Sequence, residues 1–570
     1  MKRNILIIFS LMLLFTGCSD YLQETNKSGL TSELYSTESG MEALVNSCYT
    51  TMRYWYGKEG GLSLTELGTD LFIIGGDCKH PEYSLYNSSL NPSQALMKIY
   101  WERFYVGLNN CNTAIDWLEN RSPLDEATTK IRLGEVKFLR AFYLWHIVNI
   151  WGGVHLSTTP SEGVITTANK TSVSAFYTQI LADLDDAITD LEGRIEKDGG
   201  RITKPAAEAF MARAYLYNGD KEKAATLAKH VIKDYGFAMF TDYKSVWSMD
   251  YADGDANSEV VFYVNYSNNQ LYGKTGMAND GDREISSAHA FSTDGGHNAH
   301  FYFGPRHDYH AGVTAFTTQY PIGYSRYATT RHLIDLFDET KDQRYRGSFR
   351  DVWMQNDGEA GLAKVKAAGV YTDMQLGDTA WCIDKHVATA AQRAYAAKRY
   401  QLQDINDIYN EDGSLKSTQN FIQMDKFDDP TRAAAFQIWS PRDAFVIRIS
   451  EMYLIVAEAE MESNPGEALE YMNLLRRQRA IAGKENEMEI TASDLTLDFI
   501  LAERARELVG EQQRWFDLKR TGKLLEYVKA YNPNGRGNIK DYHLYRPIPQ
   551  TQIDAVTNKD EFTQNDGYNN

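Results

Sequence analysis

Apolar residues recur at intervals of three and four along the first 200 residues, which is the spacing of one face of an amphipathic helix. Between polar stretches this spacing predicts helices over residues 39–55, 96–119, 126–151 and 172–191. Gly152 and Gly153 follow the third helix at once, and glycine readily adopts the left-handed conformation that ends helices. Ser172 stands where an N-cap is expected for the fourth helix. The N-terminal part of the chain is therefore predicted to be helical.

Residues 204–217 and 221–233 are a predicted helix pair joined by a short Asn-Gly-Asp turn. Ala212, Tyr215 and Ala224 stand where a tetratricopeptide unit has a small residue, an aromatic residue and a second small residue. Small side chains at these places allow two antiparallel helices to approach closely. The spacing favours a tetratricopeptide-like pair.

A second set of helices is predicted near the C-terminus. Residues 447–461 and 467–481 are helical in pattern and are separated by a break that contains a Pro-Gly pair, and a further amphipathic helix covers residues 495–516. Stacked helix pairs need neighbours to cover their apolar faces. We therefore expect the C-terminal part, residues 441–570, to pack on the N-terminal part, residues 41–236.

Regular patterns are lost between residues 237 and 440, where Asn, Gly, Asp, Tyr and His accumulate around short strand-like runs such as residues 260–264. Long ordered loops inside a globular protein commonly carry function. The predicted fold class is mainly α: a tetratricopeptide-like helix-pair scaffold with a long irregular, loop-rich insertion that carries a few short strands. The insertion is where we expect a site.

The N-terminus has the layout of an export signal. Two basic residues precede an apolar run over residues 5–15, which is shorter than the roughly 20 residues of a membrane-spanning helix. The run ends in Thr-Gly-Cys, which resembles the lipobox of bacterial lipoproteins and predicts lipidation of Cys18. We expect residues 1–17 to be a signal peptide and the polar residues 18–40 to be a lipidated tether. The alternative is an ordinary exported protein with a cysteine near the cut by chance.

Composition restricts the classes of partner. The chain has 570 residues, of which 43% are hydrophobic and 24% charged, as in a globular protein. Its formal net charge of −18 at pH 7 argues against nucleic acid and anionic lipid headgroups as partners, because both would be repelled.

Four cysteines remain beyond Cys18: Cys48, Cys78, Cys111 and Cys382. In an exported protein they allow two disulfides with three possible pairings. Cys48 and Cys111 lie in apolar helical contexts, where a free cysteine behaves as a small hydrophobic residue, and this interpretation is favoured. No CxxC pair is present, which argues against a zinc ribbon.

Three glutamates, Glu503, Glu507 and Glu511, lie four residues apart and share one helix face. A row of carboxylates can indicate acid–base chemistry of the glycosidase kind. Arginines at helical spacing, Arg504, Arg506 and Arg514, instead favour ionised carboxylates held in ion pairs. We therefore predict a structural role and no catalytic residue.

The chain reads "FLRAFYLWHIVNIWGG" around residues 138–153 and "RWFDLKR" over residues 514–520. With several other motifs in order along the chain, these resemble the motifs of the SusD/RagB family of outer-membrane lipoproteins of Bacteroidota. The motifs occupy residues 95–112, 134–154, 201–234, 448–459, 473–480, 503–520, 547–550 and 564–568. Together they extend over nearly the whole chain.

The resemblance implies capture of oligo- or polysaccharide at the cell surface and its delivery to a SusC-like TonB-dependent transporter for import. It implies a lipid-anchored protein of the outer membrane that faces the exterior, with no cofactor. Two alternatives stay open: a peptide-binding lipoprotein like RagB, and a glycan-degrading surface enzyme.

Sugar binding uses flat aromatic faces against the C–H surfaces of the ring and carboxylate, amide and guanidinium groups for the hydroxyls. Two stretches supply both kinds of side chain, the loop over residues 70–91 and the insertion. The candidate ligand-binding residues are Asp77, Tyr83, Tyr86, Asn87, Tyr302, Arg306, Tyr309, Tyr320, Tyr324, Arg326 and Trp381. Phe303, Asp308 and Tyr327 lie among them.

Histidines in the insertion give a weaker signal. His297, His300, His307 and His310 form two HxxH pairs, and His289 lies just upstream. Histidines three residues apart on a helix can share a metal ion. The intervening Gly-Pro pair and the lack of helical periodicity favour polar loop contacts instead, so that no metal site is predicted.

Overall fold

The computed structural model describes residues 33–266, 296–437 and 439–568; the predicted signal peptide, Cys18 and His289 lie outside these ranges. The N-terminal α-helices are α1 (Glu38–Thr50), α2 (Met52–Trp55), α3 (Glu59–Thr65), α4 (Glu82–Leu85), α5 (Ala95–Arg121), α6 (Glu126–Trp151), α7 (Val173–Asp190), α8 (Lys204–Asn218) and α9 (Lys221–Asp234). Those of the insertion are α10 (Tyr243–Val246), α11 (Arg331–Asp335), α12 (Arg344–Ser348), α13 (Gly358–Ala367), α14 (Ala390–Ala396) and α15 (Ile405–Ile408). The C-terminal ones are α16 (Ile449–Glu460), α17 (Pro465–Gln478), α18 (Glu485–Met488), α19 (Leu497–Leu508), α20 (Arg514–Arg520), α21 (Leu524–Tyr531) and α22 (Gln550–Ala555).

Helix α6 begins and ends where local sequence signals place it. The side chain of Asp125 caps the first turn by accepting a hydrogen bond of 3.0 Å from the backbone N–H of Thr128. Gly152 ends the helix at φ +78°, a conformation that favours glycine. The predicted helix over residues 126–151 is confirmed.

Helices α8 and α9 form the predicted antiparallel pair. Gly219 turns the chain at φ +87°, and Ala224 and Ala228 are fully buried, so that α9 packs closely on α8 and also on α16. The C-terminal helices thus join the N-terminal helices in one body. The predicted mainly helical class with few short strands is confirmed.

Short strands organise the insertion, and two further strands, β1 and β9, join it from the N-terminal and C-terminal parts. The strands are β1 (Phe72–Ile74), β2 (Val260–Val264), β3 (Tyr327–Thr329), β4 (Phe349–Arg350), β5 (Val352–Met354), β6 (Thr379–Asp384), β7 (Gln401–Asp404), β8 (Gln423–Met424) and β9 (Ala444–Arg448). The pairs β1–β3, β2–β9 and β4–β8 are antiparallel; β6 pairs with β5 antiparallel and with β7 parallel. The β1–β3 pair ties the loop after β1 to the insertion.

The helical body and the insertion have separate apolar cores. Aromatic side chains such as Phe142 and Trp145 fill the first, and Phe303, Trp353 and Trp381 belong to the second. The second core explains how a segment with little regular structure keeps a fixed shape: its aromatic side chains are buried between short strands and loops.

Two predicted C-terminal helices have different limits in the structure. The chain before α16 is strand β9, which pairs with β2 through Arg448. The helix predicted over residues 495–516 is broken between α19 and α20, where Gly510 and Gln512 have φ of +77° and +62°. The Gln512 amide fixes this break, because it accepts a hydrogen bond from Gly57 N (2.9 Å) and donates one to Trp55 O (3.1 Å). A tertiary contact thus overrides the helical pattern.

A buried ion-pair hub, which we define as Glu503, Glu507, Glu511 and their basic partners, begins on α19. Glu503 and Glu507 lie on that helix, and Glu511 lies in the break that follows it, so that the predicted single helix face holds only two of the three glutamates. Glu507 lies 2.8 Å from Arg479, 2.9 Å from Arg448 and 3.2 Å from Arg344. Burial acts to raise the pKa of Glu507, but attraction to these guanidinium groups outweighs it and holds the pKa well below its usual range. The predicted ion pairing is confirmed.

Cys48, Cys78, Cys111 and Cys382 are free thiols. Cys48 and Cys111 are fully buried in the helical core, as their apolar contexts predicted. Within the described ranges, no helix combines the length and apolar character needed to cross a bilayer.

Candidate functional site

Three loops, one from the N-terminal part and two from the insertion, meet on one surface. We call this surface the loop face and define it as residues 75–80, 304–310 and 322–327. Gly75 N donates to Arg326 O (3.2 Å) and Asp77 N donates to Ser325 O (3.2 Å). Ser325 N in turn donates to Gly304 O (2.9 Å). Backbone hydrogen bonds therefore hold side chains that are far apart in sequence at fixed positions beside one another.

Arg326 anchors one side of the loop face. Its guanidinium group pairs with the side chain of Asp77, and its Nε lies 2.8 Å from Glu59 Oε1. The same guanidinium lies 4.9 Å from the ring centroid of Tyr324, whose ring stacks on Phe301 at 5.2 Å. Asp77 is about half exposed, so that it presents an oxygen to solvent while it orients Arg326.

Arg306, Asp308 and Tyr309 form the other side. Arg306 donates two hydrogen bonds to Asp308, of 2.8 and 2.6 Å, and its guanidinium lies 4.3 Å from the Tyr309 ring centroid. Tyr309 is 62% exposed although it is aromatic. One face of its ring is thus supported by a cation that is itself held in place, and the ring is open to solvent.

The charges of the loop face are paired. Burial acts to raise the pKa of Asp308, but the hydrogen bonds and charge of Arg306 outweigh it and lower the pKa. The pKa of Asp77 is likewise lowered, because the hydrogen bond from Lys79 and the charges of Arg326 and Lys79 outweigh the effect of burial. Both carboxylates are therefore ionised at neutral pH and act as hydrogen-bond acceptors.

Five of the candidate aromatic residues lie in the cores. Tyr83, Tyr86, Tyr302, Tyr320 and Trp381 are at most 5% exposed. Trp381 shows why: its ring stacks at 3.8 Å on His310 and at 4.1 Å on Trp353, and its Nε1 donates to Gln403 (2.9 Å). These five rings are not exposed on the loop face, so that the candidate set there is reduced to Asp77, Arg306, Tyr309, Tyr324 and Arg326. Phe303 and Tyr327 are buried as well.

Asn87 is separated from the loop face. It follows α4, whereas Asp77 precedes that helix, and Asn87 lies beside a different cavity together with Tyr86 and Tyr542. The sequence placed both residues in one loop, but the buried helix α4 divides it.

The four histidines of the two HxxH pairs do not converge on one point. His307 places its ring nitrogens 3.0 Å from Val313 O and 2.9 Å from Pro321 O, while His310 lies 2.8 Å from Gln401 Oε1. Burial lowers the pKa of His297 and His300 well below the usual value, so that both are neutral. Among the described residues no group of three His, Cys, Asp or Glu side chains is placed to hold a metal ion.

Two aromatic residues beside the loop face were not among the predicted ligand-binding residues. Phe436 is 62% exposed, and its ring packs edge-on against Phe316 at 5.3 Å. Phe316 in turn lies 5.6 Å from His307, two residues before Tyr309. The only sequence signal for Phe436 was an apolar run, Ala433 to Phe436, in an otherwise polar loop.

A cavity of about 490 Å³ lies elsewhere, on the helical body between α5, the loop after α6 and the C-terminal segment. Trp101 and Tyr105 form part of its wall, and exposed Val106 and Ile165 stand at its rim. It brings together none of the candidate ligand residues, so that its size alone does not mark it as the site.

Comparison with known proteins decides the family. The model of the SusD family matches residues 244–568, and a second model, described as starch-binding associating with outer membrane, matches residues 20–216. The chain belongs to the SusD family. The two matched ranges contain both the helical body and the loop face.

The chain is similar to SusD-like relatives and solved structures along nearly its full length. SusD-like protein P25 of Formosa agariphila is 25% identical, with 99% of each chain covered. A SusD-like protein of Bacteroides ovatus is 22% identical over 91% of this chain and 82% of its own. Among structures, a laminarin binding SusD-like protein superposes with a TM-score of 0.69 at 23% identity, covering 94% of this chain and 100% of that one. Surface glycan-binding protein A from Bacteroides thetaiotaomicron, in complex with laminarihexaose, gives a TM-score of 0.65 at 18% identity, covering 93% and 99%.

Proposed function

We propose that this SusD family protein binds oligo- or polysaccharide at the cell surface and passes it to a SusC-like TonB-dependent transporter in the outer membrane. The observation that carries the proposal is the exposed Tyr309 ring, supported by the Arg306–Asp308 pair on a rigid loop face. The laminarin-binding and laminarihexaose-bound proteins of the same fold support a glycan as the ligand.

The chemistry of the loop face suits a hydroxyl-rich ligand. The open ring of Tyr309 gives a sugar ring an apolar surface, and Phe436 offers a second exposed ring beside the loop face. Asp77, Asp308 and the two arginines offer acceptors and donors for hydroxyl groups at positions already fixed by the ion pairs. Pre-oriented groups lose little conformational entropy when a ligand binds.

The proposed role is binding without catalysis. A general acid on a glycosidase needs a raised pKa. The carboxylates of the loop face have lowered pKa values. Glu503, Glu507 and Glu511 are held in the ion-pair hub, where their basic neighbours lower the pKa of each carboxyl against the effect of burial.

We further propose that the protein is a lipoprotein held at the outer face of the outer membrane by acyl chains on Cys18, after removal of residues 1–17. Residues 18–32 would then connect the anchor to the described structure, and as an extended chain they would reach about 50 Å. Such a tether leaves the body free to lie over a membrane transporter. The TonB-dependent partner is proposed from the family resemblance.

Calorimetric titration of the purified chain with laminarin, starch, their hexasaccharides and a peptide mixture tests the ligand class. Tyr309→Ala is expected to weaken glycan binding about tenfold, or about 1.4 kcal/mol, because the stacking surface is lost. Tyr395→Ala is a matched control: Tyr395 is 56% exposed and Arg399 lies 4.1 Å from its ring centroid, but it stands on α14, outside the loop face. Binding of peptides alone, or an equal effect of both variants, would refute the proposal, and release of sugar products would replace it with an enzyme.

A further inference from the structure

The cavity beside Asn87 is a second concave surface with polar chemistry. It has a volume of about 390 Å³, within the range of small-molecule sites, and lies on the other side of α4 from Asp77. Side-chain amides and aromatic rings line it together with one ammonium group. Its lining residues include Asn87, Asn91, Asn538, Lys540, Tyr542 and Tyr568.

The wall of this cavity is rigid. Asn538 donates from its side-chain amide to Leu85 O (2.9 Å), which ties the segment before α22 to the end of α4. Tyr542 and Tyr568 pack edge to face at 5.1 Å. Gly567, at φ +81°, lies against the Tyr542 ring so closely that a Cβ there would stand 2.2 Å from the ring. The partly exposed Tyr542 ring therefore has one fixed orientation.

The Tyr542 hydroxyl differs from its neighbours in its hydrogen bonds. The hydroxyls of Tyr86 and Tyr568 donate to the backbone carbonyls of Gly68 (3.0 Å) and Tyr545 (3.1 Å). Among the described residues the Tyr542 hydroxyl has no such partner. It is the tyrosine hydroxyl of this wall that is left for a ligand.

A buried donor lies behind the wall. His543 is fully buried, and its Nδ1 accepts a hydrogen bond of 2.9 Å from Lys540 N, so that Nε2 carries the proton. This Nε2–H has no acceptor among the described residues. The ring of His543 lies 4.1 Å from Tyr542 and 5.2 Å from Tyr86, two of the rings that line the cavity. His543 thus lies beneath the rings of the wall and supports their positions, but it is not one of the residues that line the cavity.

We infer that this cavity is a second oligosaccharide-binding site, independent of the loop face and suited to a short, hydroxyl-rich sugar segment. The inference rests on the proposed glycan-binding function and adds to it. Asn87 Oδ1 accepts from Ser89 and Asn538 Nδ2 donates to Leu85 O, so that Asn87 Nδ2 and Asn538 Oδ1 are the amide groups left for a ligand, whereas both ends of the Asn91 amide are engaged in its own loop. Lys540 supplies a donor, and Tyr542 supplies an aromatic ring with a hydroxyl. Two sites on one chain would hold a polysaccharide more tightly than either alone, because the second contact becomes intramolecular.

Stoichiometry and blocked variants test the inference. Ser88 is exposed at the rim, so that Ser88→Trp should fill the cavity without touching the core, and Ser174→Trp on the exposed surface of α7 is the control. Calorimetry with laminarihexaose and with maltohexaose is expected to give two sugars per wild-type chain and one per chain for Ser88→Trp. Tyr309→Ala should keep two sugars, one of them bound about tenfold more weakly than in the wild-type chain. Affinity for the matching polymer should fall at least tenfold in each single variant.

The outcomes separate the two proposals. One hexasaccharide per wild-type chain, with Ser88→Trp behaving like Ser174→Trp, would overturn the second site and leave the loop face intact. Loss of the second sugar in Tyr542→Phe, which keeps the ring and removes the hydroxyl, would support the assigned contact. No glycan bound by the wild-type chain would refute the proposed function itself.

Discussion

Replacing Glu507 with glutamine is expected to destabilise the protein by about 3 kcal/mol. The substitution keeps the side-chain volume but removes the charge that Arg344, Arg448 and Arg479 share, and Glu507 is fully buried. Removing one partner of a buried ion pair costs roughly 3–5 kcal/mol, because a charge is left without compensation.

The remaining contacts place the expected loss at the lower end of that range. Arg448 keeps an ion pair of 3.0 Å with Glu259, Arg479 keeps one of 2.8 Å with the same carboxylate, and Arg344 keeps one of 2.7 Å with Asp342. No arginine of the three is therefore left without a carboxylate. What is lost is the central charge that all three face.

Equilibrium urea unfolding, followed by tryptophan fluorescence, measures the change in the free energy of unfolding. The comparison requires that this free energy depends on urea concentration with the same slope in both proteins. Glu489→Gln is the control, because Glu489 forms an ion pair of 2.6 Å with Arg477 but both side chains are 38% exposed. Exposed pairs contribute at most about 1 kcal/mol. A loss for Glu507→Gln no larger than that of the control would refute the view that the hub is a major source of stability.

Three further predictions address pH, salt and anchoring. Burial raises the pKa of Glu66 to about 8, so the folded chain holds a proton that the unfolded chain releases. The free energy of unfolding therefore falls as pH rises from about 4.5 to about 8, by at most about 1.4 kcal/mol per pH unit. The urea midpoint of Glu66→Gln should lack this contribution, and parallel pH profiles of the midpoints of the variant and the wild-type protein would contradict the prediction. Because the cations of the loop face, Lys79, Arg306 and Arg326, are already paired, glycan affinity measured by calorimetry should change less than about twofold between about 50 and 500 mM NaCl; a tenfold loss would indicate an acidic ligand. Cys18→Ser should move the protein from the membrane fraction to the soluble fraction, and unchanged fractionation would exclude the lipid anchor.

Part of the site could be read from the sequence, because the insertion concentrates aromatic and charged residues. Which of them are exposed could not. Tyr302 and Tyr309 stand seven residues apart in the same irregular segment, yet one is 1% exposed and the other 62%. An irregular loop has no repeating pattern that separates an inner from an outer face. Exposure there depends on which strands and loops pack above each ring.

The ion pairs could likewise be predicted only in part from the sequence. The spacing of Glu503, Glu507 and Glu511 predicted one shared helix face, but α19 ends at Leu508 and Glu511 lies in the break after it. Their arginine-rich surroundings indicated ion pairing. The principal partners of Glu507 are Arg448 on β9, Arg344 on α12 and Arg479 directly after α17, not residues of α19. Arg514, which the sequence placed beside these glutamates, pairs at 2.6 Å with Asp70 instead. Charge complementarity can be inferred locally, but the identity of each partner depends on how distant elements pack.

The sequence by itself determined the long helices, the helix pair of α8 and α9 and the family. These depend on patterns within short stretches, where periodicity, capping residues and motif spacing act locally. Only the tertiary structure decided that α4 separates Asp77 from Asn87, that Trp381 belongs to a core, and that the Tyr309 ring is open beside Arg306. These facts arise from contacts between residues far apart in the chain, which no local pattern encodes.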